Sequence, residues 1–305
     1  MITMGLGELV TAAALMFMVF FGGEGGVSTD RVIDASFFGV EYAQPIDVYY
    51  LIVGWGFLAI WLMRLQTQTP LGKMANAQRD NFERTQFVGY DPRLIRFYQF
   101  VLSGFFAGIA GGLFAILHEI VTFDAVAAQK SASALLASYI GGIGGFFGPI
   151  IGAIVVVLMQ SGVSLLSSAW LLYLGTLFIL MVMFAPGGLT GIIAEHAPIA
   201  RVGRLHDLLV PYLRMLMPGL VCLAGFVMLV ETASFMTIGA SQGKSLSIAG
   251  YAMEAGSWTP WALSLALLSV GGLWLKAESK VFSRTWNSLM EAAKAETAKA
   301  QGGGQ

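Results

Sequence analysis

The side chains best suited to chemistry are concentrated in one polar stretch, residues 69–96, which lies between long apolar runs. Counted from Arg64, the segment carries six basic and three acidic side chains, so its net charge is positive. A charged helix between two membrane spans must face water, and its positive excess indicates the cytoplasmic side. Two interpretations follow: an ordinary basic loop, or a docking helix for a soluble partner.

Local signals divide this stretch into two helices. Thr69 and Asp91 are good capping residues, and each precedes a proline, which is favoured at the first helical position. Gly89 can adopt the left-handed conformation that ends many helices. The pattern predicts one helix over residues 70–88, a tight turn, and a second helix that starts at residue 92.

Three other polar side chains, Glu8, His118 and Glu119, lie in or beside apolar runs and are candidates for a substrate pathway. A carboxylate at membrane depth costs about 2.5–3.5 kcal/mol, so Glu8 should face protein or water. An interhelical hydrogen bond or an interfacial position would also explain Glu8, and an interfacial pair would explain His118 and Glu119.

The three histidines lack metal-ligand spacing and no nucleophile elbow occurs, so neither an enzyme nor a metal site is predicted.

Composition sets the class of protein. The chain has 305 residues, of which 56% are hydrophobic and 11% charged, and its mean hydropathy is +0.73; soluble domains carry about 25% charged residues. This predicts an all-α integral membrane protein of the cell (inner) membrane, in contact with lipid. A net charge of −1 without a basic run argues against nucleic-acid binding.

Apolar run length predicts about eight transmembrane helices. The predicted crossings are residues 2–21, 48–63, 97–120, 131–145, 150–166, 170–184, 215–230 and 258–275. This arrangement places 14 of the 17 basic residues on one side, as the positive-inside rule requires. Residues 69–96 and both termini are therefore predicted to be cytoplasmic.

Glycines recur in two places. Gly104, Gly108 and Gly112 fall on one face of the third predicted span, where another backbone can approach closely. A second, denser group runs from residue 141 to residue 152. The gating or packing candidates within it are Gly141, Gly142, Gly144, Gly148, Pro149 and Gly152. This group predicts a tight cytoplasmic hairpin, and a part in gating stays open because broken helices mark binding or gating regions in transporters.

Two motifs carry a resemblance to a known family. Residues 77–84, AQRDNFER, followed by Gly89, resemble the cytoplasmic loop of LivM-type permeases, the membrane subunits of ABC importers for branched-chain amino acids. Residues 141–153, from GGIG to GPIIGA, are similar to that family's second signature. PGGL at 186–189 resembles its usual ending after the last span. The resemblance covers roughly residues 1–193.

The resemblance implies a permease subunit whose loop helix docks on a separate ATP-hydrolysing subunit. The coupling residues it implies are Ala77, Arg79, Asp80, Asn81, Arg84 and Gly89. It also implies that ATP binds to the partner ATPase, so no cofactor is expected in this chain. The other implied partners are a second permease subunit and an extracytoplasmic solute-binding protein, and the implied substrates are branched-chain amino acids or related small polar solutes.

The sequence departs from the family at both ends. We expect residues 1–193 to form an N-terminally shortened permease core, 194–275 to contribute an extra pair of transmembrane helices, and 276–305 to form a cytoplasmic tail with a solvated helix over 276–300. Two other functions remain open: a non-transporting membrane scaffold derived from a truncated permease, and an ATP-independent secondary carrier or channel.

Overall fold

The computed structural model describes residues 2–31, 36–37, 40–236, 246–248, 251–253 and 258–302. Over these residues the backbone is mainly helical, with three short antiparallel strand pairs. The chain divides into two units, residues 1–133 and 134–305. The prediction of an all-α, multi-pass membrane protein is confirmed.

The first unit contains two long apolar helices joined by two short ones. Its helices are α1 (Ile2–Met16), α2 (Met18–Phe21), α3 (Pro45–Gln68), α4 (Pro70–Asp80), α5 (Phe82–Phe87), α6 (Pro92–His118) and the first part of α7 (Ala128–Gly141). Its strands are β1 (Val27–Ser28), β2 (Ser36–Phe37), β3 (Val40–Glu41) and β4 (Ile120–Val121). Strand β1 pairs with β4, and β2 pairs with β3.

The second unit continues from α7 with further apolar helices. They are α8 (Gly148–Leu158), a π-helical turn (Met159–Val163), α9 (Ser164–Leu166), α10 (Trp170–Phe184), α11 (Gly188–Arg201), α12 (Leu209–Ser234) and α13 (Thr259–Gly302). Strands β5 (Leu246–Ile248) and β6 (Tyr251–Met253) pair with each other. The core of this unit includes Ile140, Leu174 and Met181.

Among the described residues, five helical segments are long and apolar enough to cross a membrane. Two bent helix pairs raise the number to seven if each counts as one span. Helix α7 has only 14 residues, whereas a perpendicular crossing needs about 20. The predicted count of eight is therefore not confirmed, and the crossing at residues 131–145 stays a prediction.

The first predicted span, residues 2–21, is not one straight helix. The chain bends by 86° between residues 4–16 and 18–25. Phe17 adopts φ −87° and ψ 69°, which is outside the helical region, so the regular hydrogen-bond ladder is interrupted there.

The C-terminal region differs most from expectation. The predicted span at 258–275 and the predicted solvated tail form one helix, α13, without a break. Residues 276–301 contain neither glycine nor proline, so nothing stops the helix where the composition becomes charged. Ala293 on this helix is buried with Ile199 and Leu208. The tail therefore packs on residues 194–214 and is only partly surrounded by solvent.

Candidate functional site

The polar segment between α3 and α6 begins and ends with the predicted caps. The Thr69 hydroxyl accepts a hydrogen bond from the Gly72 N–H at 3.2 Å and donates one to the Gln66 carbonyl at 2.7 Å. The Asp91 carboxylate accepts one from the Arg93 N–H at 2.8 Å. Both predicted helix starts are confirmed, because each is set by hydrogen bonds between near neighbours in sequence.

The helix predicted over residues 70–88 is interrupted, which corrects the sequence-based interpretation. Asn81 is extended, with φ −154° and ψ 112°, and separates α4 from α5. Asparagine is a weak helix former because its amide competes for backbone hydrogen bonds. Gly89 has φ +89° and follows the end of α5, as predicted.

One buried polar side chain fastens the segment to the start of α6, and a second bonds within the segment itself. Gln78 is buried, and its Nε2 donates to the Pro92 carbonyl at 3.2 Å. Thr85 is also buried and donates to the Asn81 carbonyl at 3.4 Å, while the Tyr90 N–H donates to the Thr85 carbonyl at 3.3 Å. Helix α4 is thus held to the start of α6 by a direct hydrogen bond, whereas the Thr85 bonds fix α5 and the turn that follows it.

A hydrogen bond also joins the two long helices close to the segment. Gln66 Nε2, in the last turn of α3, donates to Gln99 Oε1 on α6 at 3.1 Å. Gly72 lies against the end of α3, where a Cβ would come within 2.8 Å of the Thr67 Cα. The start of α4 is therefore fixed against the end of α3 as well.

Sequence reasoning missed an exposed apolar tip formed by Phe87, Val88 and Tyr90. Their exposed fractions are 89%, 60% and 43%. The available signal was an apolar Phe-Val pair inside a polar, water-facing stretch. An exposed apolar patch with a polar rim is typical of an interaction surface.

The implied coupling residues fall along this same segment. Arg79 and Asn81 are exposed, and Ala77 is half-buried. A Cβ at Gly89 would meet no described atom within 4 Å. Asp80 lies in α4 and Arg84 in α5, but their side chains are outside the part of the chain that the structure describes. Their coupling roles stay predictions.

The glycine-rich stretch forms the predicted helical hairpin. Helix α7 ends at Gly141 and α8 starts at Gly148, with Pro149 in its first turn. A Cβ on Gly141 would collide with the Gly148 carbonyl, and a Cβ on Gly152 would collide with the Ala137 carbonyl. The two helices therefore approach so closely that only glycine fits at these positions.

The turn of this hairpin also contacts the start of α11. Gly142 has φ +107°, and a Cβ there would collide with the Gly187 carbonyl. The Thr190 hydroxyl donates to the Gly141 carbonyl at 2.9 Å. A Cβ on Gly144, by contrast, would meet no described atom within 4 Å, so this glycine is not part of the close contact. Whether the hairpin acts in gating stays a prediction.

The pathway candidates do not form one site in the described residues. Glu8 lies exposed in α1 and makes no described hydrogen bond or ion pair. The Arg31 Nε lies 2.8 Å from the Glu119 Oε1 and forms an ion pair with it. The His118 ring packs on the Phe114 ring, with 4.3 Å between the ring centroids.

Arg31 was not singled out from the sequence, yet it closes the end of α6. Besides its pairing with Glu119, its Nη1 donates to the Ile116 carbonyl at 3.2 Å. Cationic side chains at helix C-termini satisfy free carbonyls in this way. Glu119 itself is left-handed, with φ 55°. These contacts support the interfacial interpretation of Glu119.

The comparisons with known proteins cover much of this region. Residues 1–186, more than half of the chain, match the family model described as branched-chain amino acid transport system / permease component. The chain is 27% identical over 211 residues to the high-affinity branched-chain amino acid transport system permease protein LivM of Escherichia coli (strain K12), covering 62% of this chain and 49% of that protein.

A second curated relative comes from an archaeon. The chain is 30% identical over 170 residues to the probable branched-chain amino acid transport permease protein LivH of Methanocaldococcus jannaschii, covering 52% of each chain. The chain spans about half the length of the curated relatives it matches. No solved structure matches it.

Proposed function

Because the chain belongs to the family of branched-chain amino acid transport permeases, we propose that it is the membrane subunit of an ATP-driven importer. A separate ATPase docks on the segment formed by α4, α5 and the turn at residues 88–91. ATP binds to that partner, and this chain supplies membrane helices and the docking surface.

The exposed apolar tip carries this proposal. Phe87, Val88 and Tyr90 lie at one end of a segment that is otherwise polar and basic. Protein interfaces commonly combine an apolar, aromatic centre with a polar rim, and aromatic and arginine side chains contribute much of their binding energy. Phe87 is the anchor in this arrangement, and Arg79 belongs to the rim.

The hydrogen bonds around the segment support its role as a coupling element. Gln78 is bonded to the start of α6, and the Thr69 cap joins α4 to the end of α3. A displacement of the tip by the ATPase would therefore move the inner ends of two membrane helices together. The Gln66–Gln99 hydrogen bond keeps those two ends in register during the movement.

The names of the relatives supply the substrate class. Both are described as branched-chain amino acid transport permeases, so we propose that this chain imports leucine, isoleucine and valine. A second permease subunit completes the pathway, and an extracytoplasmic binding protein delivers the substrate. The tight α7–α8 hairpin serves as a rigid packing point within the moving bundle.

A docking experiment tests the proposal. The tagged chain is purified from its native host, and ATP hydrolysis in the eluate is measured together with uptake of labelled leucine by a deletion strain expressing each variant. We expect Phe87→Ala combined with Arg79→Glu to lower both readouts more than tenfold. Phe184→Ala is the matched control because Phe184 is also largely exposed, at 77% against 89% for Phe87, but lies outside the segment.

Unchanged ATPase binding and uptake in the double variant would contradict the proposed docking surface. If the double variant retains ATPase copurification and leucine uptake while its expression equals that of the control, the segment does not dock the ATPase. If copurification persists and only uptake is lost, the tip transmits motion without providing the binding surface.

The side of the membrane is tested separately. The chain has one cysteine, Cys222. In a Cys222→Ala background, Val88→Cys should therefore react with a membrane-impermeant maleimide in inverted vesicles and not in intact cells. Val126→Cys is the control, because Val126 is also exposed and is predicted on the opposite side. Labelling of Val88→Cys in intact cells would exclude a cytoplasmic docking site.

A further inference from the structure

A large cavity lies in the second unit, between the π-helical turn, α10 and α12. Its volume is about 840 Å³, within the range of about 300–1,000 Å³ that is typical of small-molecule sites. Most of its lining is apolar, including Leu177, Leu180, Leu223 and Val227. Helix α12 lies beyond residue 186, where the family match ends. The additional helices therefore build one wall of this cavity.

One end of the cavity carries a single carboxylate, Glu231. The Tyr173 hydroxyl donates to Glu231 Oε1 at 2.9 Å, and both residues line the cavity. Within the described residues, no cation pairs with Glu231. Acidic side chains in membrane helices are rare and commonly face a cavity or a charged partner. The tyrosine fixes the position of the carboxylate and leaves it able to accept further hydrogen bonds.

The carboxylate lies close to the ends of the two helices. Glu231 is in the last turn of α12, and Tyr173 is in the first turn of α10. The hydroxyls of Ser168 and Ser234 lie 3.4 Å apart at the same ends. At 1.5 Å per residue, Glu231 is about 5 Å from the end of α12. Glu231 therefore lies near one end of the apolar helix α12 and not at its middle.

From this polar end, the cavity runs along α12 into the apolar region. The lining residues on that helix extend from Glu231 to Gly219, a distance of about 18 Å along the axis. The facing wall includes Met159 and Val163 of the π-helical turn. Such turns are rare and are frequently found at functional sites, and methionine adapts its shape to a flexible ligand.

We propose that this cavity binds a phospholipid with a primary-ammonium headgroup, placing the ammonium on Glu231 and one acyl chain along the apolar wall. Charge complementarity selects the headgroup, because a primary ammonium donates hydrogen bonds to a carboxylate. A choline headgroup has no N–H to donate, and an anionic headgroup would be repelled. The site is independent of ATPase docking on residues 69–91.

Lipid binding to the purified full-length chain tests the proposal. Native mass spectrometry measures adducts with phosphatidylethanolamine, phosphatidylcholine and phosphatidylglycerol of identical acyl composition, added at equal concentration. We expect at least fivefold more phosphatidylethanolamine adduct than either other lipid. Soluble phosphoethanolamine should give no adduct, because it lacks the acyl chain that fills the apolar wall.

Matched variants distinguish recognition of the lipid headgroup by Glu231 from binding of the acyl chain along the apolar wall. Glu231→Gln should reduce the phosphatidylethanolamine adduct at least fivefold and remove its preference over phosphatidylcholine. Glu291→Gln, the same change at an exposed position of α13, should leave both unchanged. Val227→Trp narrows the cavity without removing the Tyr173–Glu231 pair, and should lower the adducts of all three lipids.

Two outcomes would overturn the proposal. Equal binding of the three lipids to the unmodified chain would mean that the cavity holds adventitious apolar molecules only. A Glu231→Gln variant that keeps its preference for phosphatidylethanolamine would place headgroup recognition elsewhere. If Glu231→Gln does not fold, retention of lipid preference and adduct level in Val227→Trp would equally exclude this cavity.

Discussion

Two sets of glycines in membrane helices have different surroundings in this protein. On α6, Gly104, Gly108 and Gly112 share one face, yet no described atom lies within 4 Å of a Cβ at any of them. Between α12 and α13, a Cβ on Gly225 would lie 2.9 Å from the Leu268 nitrogen, and one on Gly271 would lie 2.9 Å from the Cys222 nitrogen. Among the described residues, the second set brings two helices together and the first does not.

The difference shows that regular spacing of small residues predicts the ability to pack closely, but not the partner. The α6 stripe satisfies the small-residue pattern, but the described residues bury none of the most apolar part of that helix. Gly225 and Gly271 lie on different helices and have no regular spacing in sequence. The contacts that each makes depend on how α12 and α13 pair. With respect to the residues that the structure describes, the α6 face is open to lipid or to another protein chain.

The hairpin glycines give the largest expected effect. In Gly148→Ala, the new Cβ would collide with the Gly142 carbonyl, and backbone atoms have little room to move. We expect the free energy of unfolding to fall by about 3 kcal/mol or more, the upper part of the range for overpacking. Thermal unfolding of the purified chain measures it. Gly144→Ala is the control, and an equal loss there would show that the effect is not due to the close contact.

The contact between α12 and α13 gives an intermediate effect. Gly271→Ala would bring a Cβ within 2.9 Å of the Cys222 nitrogen, whereas no described atom lies within 4 Å of a Cβ on the adjacent Gly272. We expect Gly271→Ala to lower the free energy of unfolding by about 1–2 kcal/mol. Gly272→Ala should raise it slightly, because alanine favours the helix. Equal thermal stability of the two variants would contradict the observed pairing of these helices.

The hydrogen bond beside the hairpin gives a smaller effect. Thr190→Val keeps the shape of the side chain but removes the donor to the Gly141 carbonyl. We expect a loss of about 1 kcal/mol in unfolding free energy, measured in the same thermal assay. Ser269→Ala serves as control, because its hydroxyl bonds only within its own helix. If Thr190→Val lowered the free energy of unfolding as much as Gly148→Ala, the hydrogen bond and not the glycine contact would be the main interaction that stabilises the hairpin.

The α6 stripe gives the smallest effect on the isolated chain. Gly108→Leu fills an open position, so we expect the thermal stability of the purified chain to change by less than about 0.5 kcal/mol. Copurification of a second permease chain should nevertheless fall if that chain packs on this face. A destabilisation comparable with that of Gly271→Ala would mean that the stripe packs inside this chain.

Much of the fold was predictable where the governing interactions are local. The caps at Thr69 and Asp91 set the starts of α4 and α6 because their hydrogen bonds reach only two or three residues along the chain. The break at Asn81 was not predicted, because a weak helix former interrupts a helix only in some surroundings. The exposed tip at Phe87 was missed because a charge-based interpretation of the segment ignores its few apolar residues.

The cavity was beyond sequence reasoning for a different reason. Tyr173 and Glu231 are 58 positions apart, and neither has a recognisable motif around it. Their hydrogen bond depends on the pairing of α10 with α12, which many residues decide together. A helix was predicted on each side of residue 275, but their continuity in α13 was missed. The change from apolar to charged composition was interpreted as a boundary, although the helix propensity does not change there.

The sequence by itself determined the membrane class, the family, most helix starts and the basic segment between two spans. Each of these depends on composition or on contacts between near neighbours, and both follow directly from the order of residues along the chain. Only the tertiary structure decided which glycines touch another backbone, that Glu231 accepts a hydrogen bond from Tyr173, and how α13 packs on residues 194–214. Those contacts join residues far apart in sequence, and they form only when several helices have taken their places.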